Sequence, residues 1–562
     1  MTDEHLDGGE AVLAACRSLG VDVVFASSGS EWAPVWEALA RQDRDGTAGP
    51  RYVDLLHETL AVAMATGYGL VTRRPQLVLV HAVPGLLQGA CGIHGALLAG
   101  VPMVVASSES TSYGDGGGAD PGSQWYRNLS IVGGPQAVAN PWTKWSTQVG
   151  DVSTVYSSVV RAAEIAARPT AGPVYLNIPV EVLLDEWTPS ALVGRAVPEA
   201  GQRVSTAGDL EQAARRLLAA ERPVIVTESA GRHADGFEAL LELAETLAVP
   251  VIEPQAAVCA NFPRTNPLHR GGDAAAAVAD ADLVVLLCCR APWYPPSDRP
   301  VAADVLVVDD VPHRPYVDYQ VLGADQYLEG DIGPTLRALT GAVRAAGVDE
   351  QKVAARRAGL TVPPRNEPAP RQPGEHWIDP GDVVDCLREL LDPDAAVVDE
   401  TITHARIVQQ RLQADRPGRY SYVQGGLGQG IGVALGVKMA DTEREVALVI
   451  GDGAMLYNPI VQSLSAARTL DLPILIVVFN NRQYRSMKLN HLRFYPDGVA
   501  VREDDFRGVD LDGQPELAKV AESLGVLGLS LTEPEELKSG LAQALAGVRN
   551  GVSALVDVRV TR

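Results

Sequence analysis

The residue types best suited to chemistry in this 562-residue chain stand in two short stretches toward its C-terminus. One is GDGAMLYN, Gly451 to Asn458, and the other is PILIVVFNN, which ends at Asn480 and Asn481. An apolar run ends at Ile450 and opens into a glycine turn, so backbone can approach an anion closely while the Asp452 carboxylate points outward. The helix expected next offers its N-terminal amides to phosphate. A second strand brings Asn481 to the same crevice, outside the carboxyl ends of the strands. One carboxylate, one amide oxygen, a backbone carbonyl, two diphosphate oxygens and a water make the six-oxygen shell that magnesium takes. GDG alone is only a tight turn before a helix, and the spacing to the double asparagine carries the reading. A further candidate is Glu58, in the helical stretch LLHETLAVAMATGYG, where Ala61, Ala65 and Gly69 allow close packing. A glutamate is costly in such apolar surroundings without a partner, although an exposed acid in the first turn would simply balance the helix dipole.

The elements that must position these residues alternate regularly. An alanine-rich helix ending at Gly20, the strand VDVVFASSG, the helix HETLAVAMATGYGL, the strand and loop QLVLVHAVPG, the strand PMVVASS and a closing PVYLNIP predict a mostly parallel sheet covered by helices. The alternation resumes after EWTPSALVGRAVPEAGQR with RPVIVTES, a helix over 236–247, VPVIEP, ADLVVLLCC and ADVLVVDD. The proline- and charge-rich segment over 365–380 reads as a boundary. A third block follows, with a helix at 380–391, AAVVDE, GGLGQGIGVALGVKMA, VALVIGDG, PILIVVFNN and a last helix and strand ending in SALVDVRVT. The fold class expected is α/β, with three Rossmann-like open parallel-sheet domains over 1–185, 186–365 and 375–562, the first and third as structural cousins.

Composition narrows the function. With 46% hydrophobic and 21% charged residues the chain is an ordinary globular one. A formal net charge of −23 argues against nucleic acid as the main partner, but not against an anionic small molecule held by a metal ion and helix ends. The six cysteines form no CxxC pair and read as buried free thiols, with Cys288 and Cys289 pointing opposite ways from one strand. The start MTDEHLDGGE lacks the basic and apolar parts of a signal peptide, and no uncharged apolar run reaches the roughly 20 residues of a membrane helix. The expectation is a cytoplasmic, reduced protein with no membrane partner.

GDG, just under thirty residues, then NN resembles the thiamine diphosphate enzyme family, and the likeness covers nearly the whole chain. It is nearest in outline to the branch holding acetolactate synthase, benzoylformate decarboxylase and related 2-oxo acid decarboxylases, whose order is pyrimidine-binding, central and diphosphate-binding domain. The resemblance implies thiamine diphosphate and Mg2+ as cofactors. It implies Asp452, Asn481 and the Gln483 backbone carbonyl as magnesium ligands, Gly451 and Gly453 shaping the turn, and Ala454 and Met455 lending amides to the diphosphate. Glu58 would hydrogen-bond the aminopyrimidine ring and promote its imino tautomer. Leu427, in GGLGQG, would wedge between the two cofactor rings, a use of position rather than polarity. Because relatives share each cofactor between subunits, a homodimer is the minimum expectation and a homotetramer is common.

On the substrate side, VHAVPGLLQGACGIHGALLAGVP resembles the synthase segment with a TSGPGATN core, with His81 in place of the threonine, as in benzoylformate decarboxylase. Ser30, in VFASSGSEW, matches a serine that contacts the substrate carboxylate there. Acid–base work by His81 follows from its ordinary pKa near 6.5. The second active-site histidine of that decarboxylase has no clear counterpart; His269 and His313 lie in its region outside any matching motif, as does APWYPP with Trp293 and Tyr294. Gln88 stands where relatives commonly have asparagine, the phenylalanine–glutamine–glutamate element is replaced by GDGGGADPGSQWYR, and RQYRSMKLNHLRFYPDG replaces the usual run after NN. Arg482, Tyr484, Arg485, Lys488 and His491 in that last stretch are either a carboxylate- or phosphate-recognising cluster or a solvated basic face, and Met487 is expected in the core. RHADG is too loose for a flavin fingerprint, so FAD is left out, and a coenzyme A substrate lacks support. The reading is non-oxidative decarboxylation of a small-molecule 2-oxo acid, aromatic or branched, with carboligation as a second fate. An acetolactate synthase-like transferase or an acyloin or 2-hydroxyacyl lyase is the alternative, and a cofactor-binding protein without turnover is the remaining class.

Overall fold

The computed structural model describes residues 6–112, 117, 119–198, 200–255, 257–317, 320–360 and 377–561. Most of the expected boundary segment at 365–380, and the core of the GDGGG stretch, lie outside the described residues. The chain divides into two compact units, one of Met1–Ala200, Val423–Glu443 and Leu456–Leu472, the other of Gly201–Tyr422, Arg444–Met455 and Pro473–Arg562.

The first unit is built on β1 (Val23–Ser27), β2 (Arg51–Asp54), β3 (Gln76–Val80), β4 (Met103–Ser107), β5 (Ser146–Gln148) and β6 (Pro173–Asn177). They form one parallel sheet in the order β2-β1-β3-β4-β6-β5. The runs VVFA, QLVLV and MVVAS are buried along their length, as strands covered on both faces must be. The second unit holds two further parallel sheets. One contains β7 (Pro223–Thr227), β8 (Val251–Ile252), β9 (Leu283–Leu287), β10 (Asp304–Asp309) and β11 (Gln326–Glu329), in the order β11-β10-β9-β7-β8. The other contains β12 (Ala396–Glu400), β13 (Tyr420–Tyr422), β14 (Val446–Gly451), β15 (Leu475–Asn480), β16 (Leu527–Leu531) and β17 (Ala554–Arg559), in the order β13-β12-β14-β15-β17-β16. Ranked along the chain, the first and third sheets have the same strand order, which makes them the cousins expected from the sequence. Each has its switch point between its first and third strands, where β1 meets β3 and β12 meets β14. That is where such sheets bind ligands.

In the first unit the helix Glu58–Thr72 packs on the helix Gly430–Ala440 at backbone contact. A Cβ on Gly67 would lie 2.0 Å from the Val433 carbonyl oxygen, and one on Gly436 would lie 2.0 Å from that of Met64. Glu58 opens the first helix and Leu427 lies on the loop that leads into the second, so this crossing sets their spacing. Gly67→Ala is expected to destabilise the fold by about 1–3 kcal/mol through overpacking, read as a lower urea midpoint at unchanged slope.

Four readings need correction. The segment after β3 is not a loop but the 18-residue helix Ala82–Ala99, started by Ala82 in the left-handed region at φ 32°. It is, by length and composition, the one helix among the described residues apolar enough to cross a membrane; 61% of it is buried against the rest of the protein. The cysteines are all free, but Cys91 is exposed and Cys386 half-buried. Cys288 and Cys289 lie just past β9 and do enter opposite faces of its sheet. Met487 is 49% exposed instead of packed in the core, because its helix Arg485–Phe494 buries none of its residues.

Candidate active site

The carboxyl edge of the first sheet gathers Ser30, Glu31 and His81. Ser30 opens the turn Ser30–Trp32 after β1 and is exposed. His81 leaves β3 and stands at the N-terminus of the helix Ala82–Ala99. Its Nδ1 lies 2.9 Å from Glu31 Oε1 and 3.1 Å from Oε2. The same Glu31 Oε1 accepts the Ala82 amide at 3.1 Å. Glu31 is buried, while the imidazole keeps 28% of its surface exposed, so a fixed acid holds an accessible base. Gly29 makes room for the pair: a Cβ there would sit 2.1 Å from His81 Nδ1 and 2.4 Å from Glu31 Oε2.

The hydrogen bond that His81 donates to Glu31 raises its pKa above the ordinary 6.5; burial opposes it, and the charges of Glu31 and Glu58 add to it. A raised histidine pKa means the pair stabilises the fold fully below the unfolded value, and that contribution fades as pH rises through the folded one. Glu31→Gln is therefore expected to move the His81 titration, followed by imidazole proton NMR, to lower pH. Its stability cost should be larger near about pH 5.5 than at about pH 9.

Glu58 is the first residue of its helix and half-buried, with His57 capping the helix by accepting the Thr59 amide at 3.1 Å. Gly85, one turn into the next helix, lies flat against it; a Cβ there would be 2.8 Å from Glu58 Oε1. Thr59 Oγ1 donates to the Gln88 carbonyl at 2.9 Å, which binds the two helices together beside the acid. Leu427 also belongs to this unit, half-buried on a loop whose glycines at 425, 426 and 428 have φ of 88°, 134° and 97°. Only glycine adopts such angles freely. A Cβ on Gly425 would lie 2.4 Å from Gly95 Cα and one on Gly428 2.6 Å from the Tyr457 carbonyl oxygen, so the loop that presents Leu427 is pinned on both sides.

The second unit gathers the acidic motif. Asp452 opens the helix Asp452–Tyr457 directly after β14 and is 2% exposed. Burial pushes its carboxyl up to about 6, against backbone hydrogen bonds from Gly453 and Arg482, and Oδ2 has no hydrogen-bond partner among the described residues. A Cβ on Gly453 would lie 2.5 Å from the Tyr484 ring, whereas Gly451 faces open space. Ala454 and Met455 continue the turn and are buried. Asn481 is buried after β15, its Oδ1 accepting the Gln483 amide at 2.8 Å, and Gln483 Nε2 donates to Asp510 at 2.9 Å. The structure thus brings Gly451, Asp452, Gly453, Ala454, Met455, Asn481 and Gln483 together on the carboxyl side of adjacent strands β14 and β15.

Among the described residues no cluster of three or more His, Cys, Asp and Glu side chains could hold a metal alone. One buried orphan carboxylate oxygen beside an asparagine amide fits a hard cation that completes its shell with backbone oxygen, diphosphate and water. The open backbone at Gly451 leaves a diphosphate room to approach.

Two residues were missed in the sequence. Glu31 reads there as one more polar residue of a turn. His404, after β12, is buried against Phe479 at a ring separation of 5.5 Å; burial first, and then the charge of Arg485, bring its pKa down to about 4, so it stays neutral. Part of the basic cluster is committed within the protein: Arg485 Nη1 donates to the Thr561 carbonyl at 3.1 Å, and Lys488 lies 3.1 Å from Asp504 and over the Phe506 ring.

Three parallel sheets, the first and third with one strand order and with polar side chains at the switch point, define a multidomain α/β protein of the kind that binds ligands at the carboxyl ends of its strands. The sequence patterns of the thiamine pyrophosphate enzymes match in succession: the N-terminal TPP binding domain over residues 6–128, the central domain over 210–339 and the C-terminal TPP binding domain over 402–558. The chain belongs to the thiamine pyrophosphate enzyme family, in the branch that includes benzoylformate decarboxylase and acetolactate synthase. It is 28% identical to benzoylformate decarboxylase of Pseudomonas aeruginosa, over 95% of each chain. It is 26% identical to the acetolactate synthase isozyme 3 large subunit of Escherichia coli K12, over 99% of this chain and 95% of that one. The solved thiamine diphosphate-dependent 4-hydroxybenzoylformate decarboxylase of Rhodococcus jostii RHA1 superposes with a TM-score of 0.82 over 99% of both chains at 23% identity, a likeness of fold.

Proposed function

We propose that this protein is a thiamine diphosphate- and magnesium-dependent decarboxylase of a 2-oxo acid with an aromatic or branched side chain, able to pass part of its product to carboligation. The observation that carries the reading is the His81–Glu31 pair, an oriented, partly exposed base at the ligand-binding edge of the first sheet. When bound, thiamine diphosphate supplies the electron sink for cleavage next to a carbonyl. Asp452, Asn481 and the Gln483 carbonyl hold magnesium, and Gly451, Gly453, Ala454 and Met455 shape the diphosphate cradle. Glu58, at the start of its helix, would hold the aminopyrimidine ring of the cofactor by a hydrogen bond and serve its proton transfers, and Leu427 would pack against the bound cofactor. Ser30 receives the substrate carboxylate, and His81 moves the proton needed for product release, with Glu31 fixing its ring.

A homodimer or homotetramer completes the site, with the cofactor shared between subunits; the exposed Leu56, Leu87, Tyr457 and Val461 of the first unit are apolar surface suited to that association. The domains run over 1–185, 186–365 and 375–562, and the six free thiols suit a reducing, cytoplasmic setting. An acetolactate synthase-like transfer or an acyloin or 2-hydroxyacyl cleavage is the second reading, supported by the full-length likeness to the E. coli synthase.

The test is carbon dioxide release from a panel of aromatic, branched and short 2-oxo acids, with protein stripped of cofactor and then reloaded with thiamine diphosphate and magnesium. Release that needs both additions and favours aromatic or branched acids supports the reading. No carbon dioxide from any acid, with cleavage of an acyloin or 2-hydroxyacyl compound, replaces it with the lyase.

A further inference from the structure

A cavity of about 490 Å³ in the second unit shares no lining residue with the site proposed above. It is bounded by the segments that follow β8 and β9, by the loop through Gly271 and Gly272, and by the helix Ala405–Leu412. Its floor is electrically closed. Glu253 is buried; burial acts to raise its carboxyl, but Arg264 and His269 outweigh this and hold it down at about 2. Arg264 Nε donates to Glu253 Oε2 at 2.9 Å, His269 Nε2 lies 3.0 Å from the same oxygen, and the Asn261 amide donates to Oε1 at 2.9 Å. Arg264 Nη1 reaches on to the Gln409 carbonyl at 2.6 Å and ties the floor to the helix. The remaining acid of the lining, Asp273, caps the Ala276 amide at 3.0 Å.

What the cavity still offers a ligand is an exposed tyrosine ring and a cation. Tyr294 is 79% exposed at its mouth, and Trp293 behind it is packed into the core of the second sheet at 3% exposed. Arg406 is exposed, and no carboxylate among the described residues pairs with it. A flat apolar body against Tyr294 with an anionic end at Arg406 uses both, and the volume lies within the ordinary range of small-molecule sites. A dinucleotide would have to run on to the switch point between β7 and β9. That crevice is filled by Glu228, 4% exposed, whose oxygens accept the Arg290 and Ala291 amides at 2.9 Å each. The loop's one glycine, Gly231, is packed against protein as well, since a Cβ there would lie 2.0 Å from the Ala260 carbonyl oxygen. A pyrophosphate would find its backbone donors taken and a carboxylate in its place.

The cavity also adjoins something that matters. The helix carrying Arg406 follows Thr401–His404, which leaves β12 beside β14, and Glu400 is in register with Ile450 two residues before Asp452. We propose that this cavity is a second, non-catalytic site for an aromatic monocarboxylic acid, which alters thiamine diphosphate affinity through the helix that bears Arg406. The coupling half rests on the cofactor crevice proposed above; the binding half does not.

The test is isothermal titration of the thiamine diphosphate- and magnesium-loaded protein with phenylacetate, which has no carbonyl next to its carboxylate and so cannot be decarboxylated as a 2-oxo acid. Saturable binding is expected, roughly tenfold or more weaker in Arg406→Gln and largely restored in Arg406→Lys. Circular dichroism melts of both variants should match wild type, because Arg406 is exposed. Phenylacetate should also shift the dissociation constant of thiamine diphosphate in wild type and not in Arg406→Gln. Absence of saturable binding, binding indifferent to Arg406→Gln, or stoichiometric uptake of FAD would each overturn the site, and binding without the shift would overturn the coupling. Binding is read directly, so inactivity toward every 2-oxo acid would leave this result standing.

Discussion

Glu58→Gln is expected to lower kcat by about 10²–10⁴-fold, the usual worth of a positioned acid–base group, while the protein still folds and binds thiamine diphosphate. The substitution is close to isosteric. It keeps the packing against Gly85 and leaves the His57 cap in place, and what it removes is the charge. Because that charge also contributes to the raised pKa of His81, the variant carries a second signature. The His81 titration should move to lower pH, though less than in Glu31→Gln, since the Glu31 hydrogen bond is the largest cause of the shift. A variant with unchanged kcat would mean that Glu58 is only a helix-start acid. One that fails to fold would mean that its role is structural; both outcomes are read from one urea melt and one progress curve.

Asp452→Ala is expected to act very differently on the free and the loaded protein. In the free protein the substitution removes a buried orphan oxygen but also the acceptor of the Gly453 and Arg482 amides, effects of about 1–3 kcal/mol each and of opposite sign, so the stability of the fold should change little. In wild type, thiamine diphosphate with magnesium at a hundred times its dissociation constant should add about 2.7 kcal/mol of stability. The variant should lose nearly all of that gain, with turnover falling in step. Thermal melts of both proteins with and without the cofactor pair separate the two effects. A variant that melts higher when loaded, as wild type does, would show that Asp452 holds no metal.

The sheets could be read from the sequence because strands buried on both faces are near-continuous apolar runs. VVFA, LVVLL and LIVVFN stand out against helices whose apolar positions recur at helical spacing. The acidic motif was legible for a similar local reason: GDG and NN close two adjacent strands, and their spacing is a property of the chain. Residues that meet only through the fold were not. Glu31 stands fifty positions from His81 and faces it because β1 and β3 are neighbours, which no window of sequence displays. Nothing in the short segment between β12 and the next helix marks His404, which packs against Phe479 from a strand more than seventy positions away. The helix Ala82–Ala99 was hidden by a proline at its start, where proline is in fact tolerated, and by a first residue in an unusual backbone region. Met487 misled in the other direction, an apolar side chain on a helix that buries nothing.

The central claim is tested most directly by the carbon balance of the best 2-oxo acid, with carbon dioxide and organic product measured in the same loaded reaction and Glu58→Gln as the blank. The account predicts aldehyde as the main product, close to one per carbon dioxide released, with hydroxyketone as a minor one. Carbon dioxide accompanied mainly by an acetohydroxy acid, and little free aldehyde, would contradict it and make this chain a synthase.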